Sequence, residues 1–143
     1  MKLFKVFFIN ILLLMILSAI GVGQDISSIM FINELDAKKT ATYGDALRMF
    51  ELQEGTSRTD SYKLKGYNKG EQLTKGMASL MTARYLRLNK SLMYNIFDIE
   101  RYAFRACMAD KLFNIDGSEN DLMSGSELIE LFTKVDEFNK VRR

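Results

Sequence analysis

Leu73-Thr-Lys-Gly-Met-Ala-Ser-Leu-Met-Thr-Ala-Arg-Tyr-Leu-Arg-Leu88 is the stretch on which the reading of this 143-residue chain turns. Thr74 carries the short hydroxyl side chain that accepts the free backbone N–H groups of a first helical turn, and good helix formers follow it. At about 100° per residue, Met77, Ala78, Leu80, Met81, Tyr85 and Leu88 fall within one broad arc, wide enough to face a core. The spacing predicts a helix over 74–88. Arg84 projects into the middle of that arc. Its stem packs on the apolar stripe while the guanidinium reaches solvent or a carboxylate, or else it is presented to an anionic ligand.

Working outward, Thr42 repeats the cap before Tyr43, Ala46, Leu47 and Phe50, which share a face, and Gly55 is the stop signal. Residues 56–60 are a polar loop. Tyr62 and Leu64 alternate in the segment that follows, with glycines at 66 and 70, in a short extended piece or an ordered connection. Residues 91–97 suggest one short helix. Asp98 is a cap for a helix over 99–113, with Ile99, Tyr102, Ala103, Ala106, Ala109 and Phe113 on one side and Phe104, Met108 and Leu112 on another. A helix apolar on two sides is sandwiched between neighbours, and its alanines permit close approach, so this helix is expected to be the central one.

Residues 114–121 break the pattern as a loop. Ser124 caps the last helix, whose stripe is Leu128, Leu131, Phe132, Val135 and Phe138. Residues 139–143 are expected to fray. Residues 25–35 are apolar but too short to classify, with Met30, Phe31 and Ile32 in a row pointing to burial. The expected fold is all-α, a small bundle of about four to five short helices forming a single domain over 24–138.

Three helix starts share a plan. Thr42 with Gly44, Thr74 with Gly76, and Ser124 with Ser126 each set a hydroxyl cap two positions before a small residue, and an amphipathic helix follows. The starts lie 32 and 50 residues apart, too irregular for a solenoid. Led by Leu73-Thr-Lys-Gly-Met-Ala-Ser-Leu-Met81 and its two echoes, residues 42–138 resemble the S-layer homology type of bacterial envelope module. The resemblance implies Thr-led helices joined by loops that bind cell-wall polymer, and carries across Thr74 and Lys75 as binding residues. The chain departs from that family in having no proline, no tryptophan, and Lys-Gly-Met in place of a basic residue followed by Ala-Glu.

At the N-terminus, Lys2 and Lys5 precede an apolar run from Val6 to Leu17, and Ser18, Ala19, Gly21 and Gly23 follow. That order is a secretory signal peptide over residues 1–23, cut after Gly23 or alternatively Gly21. No cysteine lies near the cut, which excludes a lipoprotein anchor. An uncleaved anchor over Val6–Val22, tolerating Asn10, is the other reading and the only one that brings a membrane. Without residues 1–23 the chain has equal numbers of basic and acidic side chains. Formal neutrality argues against nucleic acid as a partner, since phosphate binding needs a positive surplus on one face. Lys63, Lys65, Lys69 and Lys75 read as solvated charge. Cys107 is the single cysteine, so there is no internal disulfide, and on an alanine-rich helix it reads as a small buried hydrophobe.

The chain has no histidine, which removes the commonest general base and metal ligand. Serine hydrolase and phosphate-cradling motifs are missing, and no enzyme activity is expected. One loop carries oxygen ligands at spaced positions. Asp116, Ser118, Asn120, Leu122 through its carbonyl, Ser124 and Glu127 fill positions 1, 3, 5, 7, 9 and 12 of a segment similar to an EF-hand, which implies calcium. Asp121 stands where that family has the glycine of the sharp turn. The sequence therefore leads to an exported bacterial protein, periplasmic or secreted, that acts as a structural or interaction module. Its partner is an envelope protein or cell-wall polymer, met near Thr74, Lys75 and Arg84, and a calcium-responsive loop is the alternative. Oligomeric state is not encoded in any pattern found.

Overall fold

The computed structural model describes residues 26–54, 60–89, 91–114 and 116–142. The segment 1–23 expected to be a signal, the expected stop at Gly55 and most of the polar loop at 56–60 lie outside them. By its contacts the chain divides into two compact units, Met1–Glu34 and Leu35–Arg143. The described residues of the first are helical, and this helix, α1, is described over 26–36. Because a helix turns by about 100° per residue, the three apolar neighbours expected to be buried together part company. Phe31 is buried, Ile32 half-buried and Met30 exposed.

The second unit contains α2 (Tyr43–Glu54), a single 3-10 turn (Asp60–Tyr62), α3 (Lys75–Leu86), α4 (Leu92–Ile96), α5 (Glu100–Ala109) and α6 (Gly125–Arg142). The fold is all-α. Among the described residues there is no strand, only isolated bridges pairing Thr42 with Gln72 and Thr74 with Leu122.

The three capped starts meet at one point. Ala41, Leu73 and Met123 each stand immediately before a cap, and each is almost wholly buried. The Ala41 N–H donates to the Met123 carbonyl at 2.8 Å, the Met123 N–H to the Leu73 carbonyl at 2.9 Å, and the Leu73 N–H to the Ala41 carbonyl at 2.9 Å. Six backbone groups that water cannot reach are thereby satisfied in a closed cycle. Directly after it the chain turns into helix. The Thr74 hydroxyl accepts the Met77 N–H at 3.1 Å. Thr42 and Ser124 go further and form capping boxes: Asp45 and Glu127 return the bond to the cap's own N–H, at 2.9 and 2.8 Å.

The small residues after the caps have a steric cause. The Gly44 N–H donates to the Lys69 carbonyl and the Gly76 N–H to the Glu119 carbonyl, both at 2.8 Å. A Cβ on either glycine would stand 2.8 or 2.9 Å from that same oxygen. At the third start the crowded position is Gly125, one residue after the cap, where a Cβ would run into the Leu35 carbonyl. Ser126, the small residue the repeat plan puts forward, is exposed.

The core is centred on α3, not α5. Met77 to Ala83 are buried without interruption, so the expected stripe is instead a helix covered nearly all round. The price of that position is a buried Thr82 hydroxyl with no hydrogen-bond partner among the described residues. Helix α5 packs on α3 through Ala103, Phe104, Ala106 and Cys107, and the small side chains allow the Cys107 thiol to donate to the Ser79 carbonyl at 3.6 Å. Ile99 and Ala109, assigned to its buried side, are exposed. On the other flank the Phe50 ring is the hub of an aromatic cluster, stacked on Tyr62 at 4.7 Å and edge-on to Phe132 at 4.6 Å, with Tyr85 at 5.1 Å. This joins α2, the 3-10 turn, α3 and α6.

Helix ends differ from expectation in three places. Ile99, without a side-chain cap bond, occupies the cap position of α5, because Asp98 is engaged elsewhere. That helix stops at Ala109 and not near 113: Lys111 adopts a left-handed φ of 60°, and the Leu112 N–H returns to the Cys107 carbonyl at 2.9 Å. At the C-terminus α6 continues to Arg142 where fraying is expected, because the Arg142 guanidinium donates to the Leu86 carbonyl at 3.0 Å and lies 5.3 Å over the Phe138 ring.

Candidate functional site

A pocket of about 250 Å³ opens where the start of α3, the loop before α6 and the first turns of α6 meet. Its polar lining includes Lys75, Asp116, Glu127, Glu130 and Lys134, and its apolar wall is Leu112, Phe113, Met123 and Leu131. Lys75 is the first helical residue after Thr74, so the cap fixes where it points. Its side chain is only 16% exposed, and its Nζ lies 3.5 Å from Glu127 Oε1. A Cβ on Gly117 would stand 3.0 Å from that Nζ, which places the ammonium directly beneath the 116–127 loop.

Glu127 closes the capping box of α6. Burial pushes its carboxyl up, but the Ser124 N–H and the Lys75 charge outweigh burial and hold it below its ordinary range. One turn on, Glu130 and Lys134 form an i,i+4 ion pair at 2.8 Å. The polar lining thus contains two ammoniums and three carboxylates beside an aromatic ring. That combination offers charged and hydrogen-bonding contacts beside an apolar wall. Lys134 also borders a more apolar hollow of about 470 Å³ with Leu88, Phe138 and Val141.

The six residues of the calcium reading are mostly engaged within their own loop. The Ser118 N–H donates to Asp121 at 2.8 Å, the Ser118 hydroxyl accepts the Asn120 N–H at 3.3 Å, and Ser124 and Glu127 are bound to each other. Leu122 pairs with Thr74, and Asp116 is exposed. The sharp turn falls at Gly117, φ 121°, and not at the position of Asp121. Among the described residues no three His, Cys, Asp or Glu side chains are grouped to hold a metal ion, and the cation beside Glu127 is the ammonium of Lys75.

Thr74, Lys75 and Arg84 do not form one site. The Thr74 hydroxyl is used by the cap. Arg84 lies nine residues beyond Lys75, about 14 Å along the helix and half a turn round it. Its guanidinium grips Asp98 as a fork, with Nε to the carboxylate at 3.1 and 3.3 Å and a terminal nitrogen at 2.6 Å. This ties the end of α3 to the entry of α5. Burial first, and then the Asp98 charge, push the nearby Tyr94 phenol up.

From the sequence, Glu130 beside Glu127 reads first as solvated surface, and neither Lys134 nor Phe113 is marked as a site residue. The i,i+4 spacing of Glu130 and Lys134 was a visible signal. The meeting of Lys75 and Glu127, 52 positions apart, had none. No family model, curated protein or solved structure matches the chain.

Proposed function

We propose that this chain is an exported, non-catalytic bacterial envelope protein, periplasmic or secreted, whose helical unit binds cell-wall polymer at the Lys75 pocket. The observation that carries this reading is the pairing of a mostly buried Lys75 with Glu127 beside the Phe113 ring, in a recess of the size of a sugar residue. The likeness of the three capped starts to S-layer homology modules supports the same direction, and export rests on the signal pattern of residues 1–23. Every polar group of the pocket acts here as a hydrogen-bonding or charged contact, and none is assigned a role in turnover.

Retention on purified wall material tests the reading. The unmutated protein should be retained, K75M and F113A should each weaken retention at least several-fold, and R84Q should not. Failure of the unmutated protein to bind, with no envelope protein captured by crosslinking, overturns the proposal. A calcium-induced rise in melting temperature that E127Q abolishes would point instead to the calcium-responsive loop.

A further inference from the structure

Helix α4 is built inside out. Of its five residues only Tyr94 is buried, and the aliphatic ones face away. At about 100° per residue Leu92, Ile96 and Met93 occupy one arc of about 100°, turned away from Tyr94. Leu92 is 72% and Ile96 61% exposed, and Met93, Phe97 and Ile99 are each about half exposed. Scattered single apolar side chains on a surface need no explanation, but five within eight residues form a patch.

The helix that carries the patch is tied at both ends. The Ser91 hydroxyl accepts the Tyr94 N–H at 3.3 Å, the Asn95 amide donates to the Asn89 carbonyl at 3.0 Å, and the Phe97 N–H returns to the Met93 carbonyl at 2.9 Å. Phe97 stacks on Tyr102 with centroids 5.8 Å apart, and the Arg84–Asp98 fork fixes the exit from the helix.

Charge selects the occupant. Arg87 precedes α4, and Arg101 and Arg105 lie on the outer face of α5, on which α4 packs; all three are exposed. Of the neighbouring carboxylates, Asp98 is paired with Arg84, while Glu100 accepts the Tyr67 hydroxyl at 2.6 Å and keeps its negative charge, so the three exposed arginines still outnumber it. An aliphatic tip flanked by outward cations fits a surface that is apolar inside and anionic outside. No described helix is long and apolar enough to cross a membrane.

We propose that Leu92, Met93, Ile96 and Phe97 insert into the interface of an anionic lipid surface, with Arg87, Arg101 and Arg105 on its headgroups. This contact is separate from the pocket at Lys75 and does not depend on it. The chain contains no tryptophan, so F97W in the full chain gives a single local probe. With vesicles of equal parts phosphatidylcholine and phosphatidylglycerol its emission should shift to the blue and be quenched by brominated acyl chains. Adding R101Q and R105Q should weaken partitioning about thirty-fold, or roughly five-fold per cation removed. Adding I96D, at an exposed position, should abolish the shift.

Four outcomes overturn the proposal. They are no blue shift with these vesicles; an equal shift with pure phosphatidylcholine; vesicle binding without change in the probe, which would place the attachment in another segment; and a lipid-free shift that grows with protein concentration, which would make a second copy the occupant.

Discussion

The Tyr43 hydroxyl satisfies both backbone polar groups of Leu64: it accepts the N–H at 2.7 Å and donates to the carbonyl at 3.2 Å. Both residues are buried, so one phenol oxygen fastens the loop after the 3-10 turn to the first turn of α2. Y43F keeps the ring and strips two buried groups of their partner, which should cost about 2–4 kcal/mol. Urea denaturation should show a lower midpoint with an unchanged slope. A loss below about 0.5 kcal/mol would mean that water replaces the phenol.

The glycines divide sharply by what surrounds them. G125A would drive a methyl group into the Leu35 carbonyl, a backbone atom that cannot turn aside, and should destabilise by about 3 kcal/mol or more. G70A meets nothing within 4 Å, and should stabilise by about 0.4–1 kcal/mol by restricting the unfolded chain. Thermal melts of the two variants should move in opposite directions.

Acid should unfold the protein through its two capping boxes. Burial raises the carboxyls of both Asp45 and Glu127. Hydrogen bonds from Lys38 and Thr42 to the first, and from Ser124 with the Lys75 charge to the second, outweigh it and leave both below their ordinary values of 3.8 and 4.5. A carboxyl whose folded pKa is depressed contributes stability above its unfolded pKa and loses it as the pH falls through the folded value. The melting temperature should therefore be flat near neutrality and decline below about pH 5. The D45N/E127Q double variant should start lower and decline less steeply.

Cys107 should be chemically silent in the folded state. Burial pushes its thiol up to about 12, and the Ser79 carbonyl, which it meets at 3.6 Å, only partly offsets this. A thiol reagent at neutral pH should react at the rate of unfolding and accelerate with urea. Rapid labelling of the native protein would show an opening of the α3–α5 contact.

How much of this was legible in the residues depends on the range of the interaction. Local signals were sufficient for the hydroxyl caps at 42, 74 and 124, the short helix after Ser91, and the stripe of α6, because a cap and its N–H groups lie within one turn. That α3 and not α5 lies at the centre was hidden, since Ser79 and Thr82 read as polar positions until the folded chain buries them. The role of Asp98 was misread because its partner, Arg84, is 14 positions earlier. In the pocket, Lys75 was visible through its neighbour Thr74, whereas the carboxylate opposite it comes from a helix that only the folded chain brings there.

The cycle of backbone bonds through Ala41, Leu73 and Met123 has no first or last member. Excising any one of the three helix starts would orphan a donor on one survivor and an acceptor on the other, so the architecture cannot be pared down to two-thirds of itself. By the same logic it is indifferent to the order in which its parts are strung together. Joining the ends of this unit through a linker long enough to run back along α6, about 27 Å, and reopening it within an exposed connection between starts, such as that around Lys65, should return the same closed arrangement from a rearranged gene.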